Sequence, residues 1–253
     1  MNVAGKITLP PHSTISLSAA QKLLAHWQSR WLYEGAICER LAAGSLVVSV
    51  GEGTGEYMTC LASRFPRLEF AGFDLDPNRV QVATELARRL NLDNVRFERA
   101  EATRLPVRGS TADLVYCKQA FQVLPDKTGA LREMERIAAG VVYLSEIPNH
   151  PYCAALLRAF ALRSRTYRTT TRALRVTEDY LRQIGAFHSG LWYLRLIRRQ
   201  FPDARMVGTY VLASNLERVV RFPLLGTHVG FQAICRSHRL EELPRHQGLA
   251  TFS

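Results

Sequence analysis

Between residues 46 and 147 the apolar positions fall into short runs that alternate with stretches of helical spacing. Leu46-Val47-Val48-Ser49-Val50 is a β-branched run and predicts the first strand. Residues 56–65 predict a helix, and 68–73 the second strand. Val80, Val82, Ala83, Leu86 and Leu90 share one helical face over 78–90, and Pro77 stands where a helix can begin. Residues 95–97 predict a third strand, 112–117 a fourth, a helix follows near 127–138, and 141–147 predict a fifth strand. Strands each followed by a helix imply a parallel sheet with right-handed crossovers.

The flanks follow other rhythms. Leu23, Leu24, Trp27, Trp31, Ile37 and Leu41 have helical spacing from 18 to 41, with Gly35 as a break between two helices and Gly44 as the end. After the fifth strand, 151–163, 177–184 and 190–200 read as helical, and late strands fall at 206–213 and 229–235, placed to close the sheet with an antiparallel edge. The expectation is an α/β, Rossmann-like, doubly wound sheet, mostly parallel and seven-stranded, with helices on both faces. Residues 1–44 form an N-terminal tail and helices that cover the site. Residues 45–253 form the main domain, with a helical insertion at about 148–204.

Composition narrows the classes. Of 253 residues, 47% are hydrophobic and 22% charged, a globular balance. No apolar run reaches the roughly 18 residues of a membrane span. The first 18 residues hold one lysine, two prolines and no apolar run, unlike a signal peptide. Cysteines at 38, 60, 117, 153 and 235 are odd in number and lack Cys-x-x-Cys spacing, which argues against a disulfide framework or a zinc site and for a reducing, cytoplasmic setting. Charge is lopsided: residues 1–150 carry 17 Lys+Arg against 16 Asp+Glu, whereas 151–253 carry 16 Arg against 6 Asp+Glu. That asymmetry points to an anionic partner of the second part, or to an arginine-rich codon usage, since 29 Arg stand against 4 Lys in the chain.

The strongest chemical signal is Ser49-Val50-Gly51-Glu52-Gly53-Thr54-Gly55, set between a strand and a helix. Glycine at alternate positions permits φ > 0 and lets a ligand lie against the backbone. Asp74, 23 residues after Gly51, ends the next strand, where dinucleotide folds place a carboxylate on ribose hydroxyls. A dinucleotide fingerprint nevertheless requires Gly or Ala where Glu56 stands, and a carboxylate there repels a pyrophosphate. No Gly-Lys-Ser/Thr follows, so the loop is not a P-loop.

Four segments together resemble the class I methyltransferases that use S-adenosylmethionine (SAM), especially the ubiquinone/menaquinone-type small-molecule group. They are Val48–Gly55 with its three glycines, Gly72-Phe73-Asp74-Leu75-Asp76-Pro77, Arg99-Ala100-Glu101-Ala102-Thr103-Arg104-Leu105-Pro106, and Asp113 through Asp126. The resemblance covers about residues 45–147. It implies SAM as cofactor, bound by Gly51, Glu52, Gly53, Gly55, Asp74, Leu75, Glu101, Ala102, Cys117 and Lys118, with Asp74 on the ribose and Glu101-Ala102 facing the adenine. Two departures stand out. Ser49 occupies a place where members usually carry an acid that helps hold the ligand's ammonium; either Glu52 or water takes over that work. Ala138-Ala139-Gly140 replaces a frequent Pro-Gly-Gly turn.

Methyl transfer from a sulfonium is an in-line displacement governed by positioning, aided by a base when the acceptor is a hydroxyl. Candidate bases are His150 and Glu146, at the end of the fifth strand, against readings as a loop residue and an arginine partner. Trp27, Trp31, Tyr33, Gln122 and Tyr152 are candidates for the acceptor side, against readings as packing residues. Tyr116-Cys117-Lys118-Gln119 is not the Asn-Pro-Pro-Tyr type used on nucleobase amines. Three functions compete: transfer to a small-molecule acceptor of secondary metabolism, acidic or carrier-bound; RNA or DNA methylation, motivated by the basic second part; and SAM binding without transfer, motivated by Ser49. No metal site is expected.

Overall fold

The predicted strands join into one sheet. The computed structural model describes Gln21 and residues 33–148, 188–210 and 228–234. Its strands are β1 (Leu46–Val50), β2 (Glu69–Asp74), β3 (Val95–Arg99), β4 (Ala112–Lys118), β5 (Ala138–Pro148), β6 (Arg205–Tyr210) and β7 (His228–Ile234), in the order β3-β2-β1-β4-β5-β7-β6. The first five are parallel. β7 lies antiparallel to both β5 and β6. Strand order reverses between β1 and β4, so the segments that leave these strands diverge and open a crevice at the carboxyl edge.

Helices cover both faces. They are α1 (Tyr33–Cys38), α2 (Glu56–Arg64), α3 (Pro77–Arg89), α4 (Lys127–Ile137) and α5 (Gly190–Gln200), with a 3₁₀ turn at Phe121–Val123. Successive strand residues point to opposite faces. Val48, Val50, Val115 and Cys117 therefore meet Leu131 and Met134 of α4 and Tyr193 and Ile197 of α5. Val47, Leu114, Tyr116 and Val141 meet Ile37 of α1 and Met58 and Leu61 of α2 on the other side. Burial on both faces is why the central strands read as unbroken apolar runs. Pro77 opens α3 behind an Asp76 side chain that accepts from Asn78 N, as the helix-start pattern implied.

Three local expectations change. Gly35 lies inside α1 and is buried, so it is not a break between helices. The helix ends at Cys38, short of Leu41, and Gly44 serves a later turn in which its amide donates to Arg67 O. No separate turn precedes β5: Ala138 both caps α4 and pairs with Ala112, so Ala138-Ala139-Gly140 is already strand. Among the described residues no helix is long and apolar enough to cross a membrane.

Candidate functional site

The glycine loop leaves β1 at the crevice and is tied to β2. Gly51 N and Glu52 N donate to Phe73 O, and Gly53 N donates to Asp74 Oδ2 at 2.8 Å. The other oxygen of Asp74 accepts from Asp76 N at 3.0 Å. The three glycines do different work. Gly53 has φ +70° and open space where a side chain would project, so it is the floor a ligand can lie on. A Cβ on Gly51 would come within 2.5 Å of Ala120 Cβ, so this glycine lets the exits of β1 and β4 touch. Gly55 faces Ala83 of α3 and Phe97 of β3 and serves packing at the start of α2.

Opposite Asp74, the side chain of Glu52 turns toward β1, β4 and α2. Its Oε2 accepts from Ser49 Oγ at 2.5 Å and from Tyr116 OH at 3.0 Å, and its Oε1 accepts from Met58 N at 2.9 Å. Burial pushes the Glu52 carboxyl up to about 7, against the downward pull of the Ser49, Met58 and Tyr116 hydrogen bonds and the Lys118 charge. Lys118 holds its ammonium 4.6 Å from the centre of the Tyr57 ring, and the Tyr57 hydroxyl donates to the buried Glu34 of α1. Motif reading singled out Glu52 and Lys118 but missed Glu34, Tyr57 and Tyr116. Their only signal was a buried-face position on a helix or strand, which any apolar aromatic shares.

The remaining predicted residues distribute as follows. Leu75 follows Asp74 at the crevice and is 59% exposed, an unusual exposure for a leucine and suited to one face of an aromatic base. Glu101 is exposed, Ala102 half-buried, and both follow β3, whose end is joined to β2 where Ala100 N donates to Asp74 O. The Cys117 side chain is wholly buried in the core, so only its main chain is available to a ligand. Gln122 is buried in the 3₁₀ turn after β4; its amide donates to Gln119 O at 2.7 Å. The Tyr33 backbone opens α1, and Glu146 lies where the pairing of β5 with β7 shifts register between Leu144 and Ile147. Trp27, Trp31, His150 and Tyr152 lie outside the described residues. At α5, His188 stacks on Trp192 with ring centres 3.5 Å apart, and Tyr193 meets Phe121 at 6.1 Å.

These features fit a nucleoside joined to a cationic amino acid. They offer an open glycine floor, a carboxylate at the end of β2 with lone pairs remaining for hydroxyls, an exposed apolar residue beside it, and a second carboxylate across the loop. The methyltransferase-domain family matches residues 42–180, more than half of the chain, and the chain belongs to that family. A demethylmenaquinone methyltransferase of Deinococcus radiodurans is 35% identical over 193 residues, 73% of this chain and 74% of that protein. A trans-aconitate 2-methyltransferase of the same organism is 34% identical over 110 residues, 43% of this chain and 40% of its own. Among solved structures, a SAM-dependent methyltransferase from Thermotoga maritima has a TM-score of 0.56 at 16% identity, covering 86% of this chain and 91% of that one, a likeness of fold. The protein is a SAM-dependent methyltransferase with an α/β Rossmann-like fold.

Proposed function

We propose that the methyl acceptor is a small molecule that reaches the crevice between the 3₁₀ turn Phe121–Val123 and the first turn of α5. The observation that carries this reading is a pair of buried polar atoms, Gln122 Oε1 and Tyr193 OH, with no hydrogen-bond partner among the described residues. A buried polar group left unsatisfied costs about 1–3 kcal/mol. An acceptor hydroxyl or carbonyl is the kind of group that offsets it. The neighbouring rings of Phe121, His188, Trp192 and Tyr193 suit a flat, apolar acceptor. The names of the two Deinococcus relatives, which specify demethylmenaquinone and trans-aconitate, support the same class for this chain.

In this reading the cofactor contacts are the ones expected from the loop, with Asp74 on the ribose and Leu75, Glu101 and Ala102 around the adenine. The segment at about 148–204 forms the acceptor side and residues 1–44 a cover. His150 and Glu146 are the bases for a hydroxyl acceptor. The arginines at 158, 163, 165, 168, 172 and 175 lie outside the described residues and form a basic stretch that favours an acidic or carrier-bound acceptor. The test is transfer of labelled methyl from SAM to quinols, phenols, small carboxylic acids and total RNA. Label in the organic extract, with an acceptor KM that Tyr193→Phe raises while SAM Kd stays constant, is the expected result. Label in RNA alone overturns the small-molecule reading. If the basic stretch steers an acidic acceptor, physiological salt raises that KM relative to low salt.

A further inference from the structure

Two helices begin at the carboxyl edge of the sheet beside the 3₁₀ turn, and each brings a basic side chain there. α4 follows β4, so it starts at that edge, with Lys127 as its first residue. β5 and β6 are both antiparallel to β7 and so run the same way. α5 leads into the amino end of β6, so its own start lies toward the carboxyl edge, preceded by His188. α4 and α5 pack against each other. Both helices thus turn their positive ends to this part of the crevice.

The charge gathered there has no counterpart. Lys127 is half-buried, and its Nζ donates to Leu124 O at 2.8 Å, a main-chain carbonyl without net charge. Among the described residues no carboxylate pairs with it. The adjacent Asp126 is turned to the first turn of α4, where its Oδ1 accepts from Gly129 N at 2.8 Å. Burial holds the Lys127 ammonium below the usual lysine range. Burial also lowers His188, and the Lys127 charge adds to that, with no carboxylate pulling the other way. The two basic groups therefore share one neighbourhood. The His188 ring lies flat on Trp192, 3.5 Å away at 9°, and edge-on to Tyr193 at 5.8 Å. Tyr193 itself is fully buried, and its hydroxyl has no hydrogen-bond partner. A half-buried ammonium, an imidazole N–H and an unused hydroxyl are all donors, and together they call for an anion.

We propose that Lys127, with His188 and the Tyr193 hydroxyl, forms a subsite for a carboxylate of the acceptor, and that Lys127 makes the enzyme selective for acceptors that carry one. The inference rests on the small-molecule reading above and adds to it the group recognised and the residue that recognises it. Lys127 acts by contact from a half-buried place. Its preference therefore persists at physiological salt, which screens attraction between exposed charges farther apart than about 8 Å.

The experiment is calorimetry of 2-naphthoate and 2-naphthamide binding to the full chain, saturated with S-adenosylhomocysteine, at neutral pH and physiological salt. The two probes share a flat ring system and differ in charge. Wild type is expected to bind the carboxylate at least about tenfold more tightly than the amide, the scale of one charge-assisted hydrogen bond. This ratio tests the proposal without any variant. Lys127→Met, which keeps the apolar stem, removes the preference while amide affinity and SAM Kd stay within about twofold of wild type. Lys127→Arg, which restores the charge, retains it. A carboxylate bound no better than the amide by wild type overturns the subsite, and so does a preference that survives Lys127→Met. In that case amide binding that Tyr193→Phe weakens still upholds the small-molecule reading. Binding of neither probe, with label from SAM found in RNA alone, overturns both.

Discussion

The two sides of the glycine loop each carry a carboxylate, and the two are held by opposite means. Asp74, on the β2 side, is engaged by main-chain amides, Gly53 N at 2.8 Å and Asp76 N at 3.0 Å. Glu52, on the β4 and α2 side, is held mainly by side-chain hydroxyls that belong to Ser49 and Tyr116, with one amide from Met58. Amide donors come with the backbone path and cannot be substituted away, so Asp74 is built into the fold of the loop. Hydroxyl donors are set residue by residue, so the Glu52 side can be rearranged, as the serine at position 49 illustrates. Burial also raises the Glu52 carboxyl to about 7. Asp74 is thus part of the loop's structure and Glu52 a tunable charge.

The comparison breaks most severely at the glycine that separates the two. Gly53→Val places a branched side chain on the proposed ligand floor at φ +70°, where an L residue also pays roughly 1–2 kcal/mol in backbone strain. SAM affinity should fall more than about a hundredfold, with the sheet retained by circular dichroism; normal SAM binding would mean that the ligand lies elsewhere. Asp74→Ala comes next. It should weaken SAM at least about tenfold if, as proposed, Asp74 holds the ribose. It should also lower the melting temperature of the free enzyme, because the amides of Gly53 and Asp76 lose their acceptor. A melting temperature equal to wild type would show the loop does not depend on this carboxylate.

Glu52→Gln sharpens the contrast through stability rather than affinity. A carboxyl raised in the folded state contributes stability that is present below its unfolded value of about 4.3 and lost as pH rises through about 7. Glutamine has no such loss. The melting temperature of ligand-free Glu52→Gln should therefore gain on wild type between pH 5 and pH 8. A constant difference across that range would mean Glu52 ionises normally. The smallest effect belongs to Tyr57→Phe, which removes one donor from Glu34 and keeps the ring under Lys118. It should cost about 1 kcal/mol by chemical denaturation, with SAM Kd within about twofold of wild type. A large loss of SAM affinity would join α1 to the cofactor site.

Legibility followed the period of each element. β1 to β5 and their helices could be read because two-sided burial writes continuous apolar runs and one-sided burial writes helical spacing. The helix preceding β5 was the exception. Ala138 suits either a cap or a strand, and only pairing with Ala112 decides between them. Gly35 misled for a similar reason, since a glycine that ends a helix and one that lies inside a helix look alike in one dimension. Within the site, Gly53 and Asp74 announced themselves by spacing, whereas Tyr57, Tyr116 and Glu34 did not.

The sequence by itself determined the order of strands and helices, the glycine turn, the carboxylate at the end of β2, and with them the methyltransferase class. These depend on local periodicity and on residue types that only one kind of backbone or ligand demands. Tertiary structure alone decided that Gly53 is open while Gly51 and Gly55 are packed, that Cys117 faces the core, and that Glu52 reaches the hydroxyl of Ser49. Each of those facts depends on what lies across a gap between chain segments far apart in sequence, as Gly51 beside Ala120 and Glu52 beside Tyr116 show. The ionisation of a half-buried carboxyl is set by such neighbours and by its limited access to water, neither of which is written in the residues on either side of it.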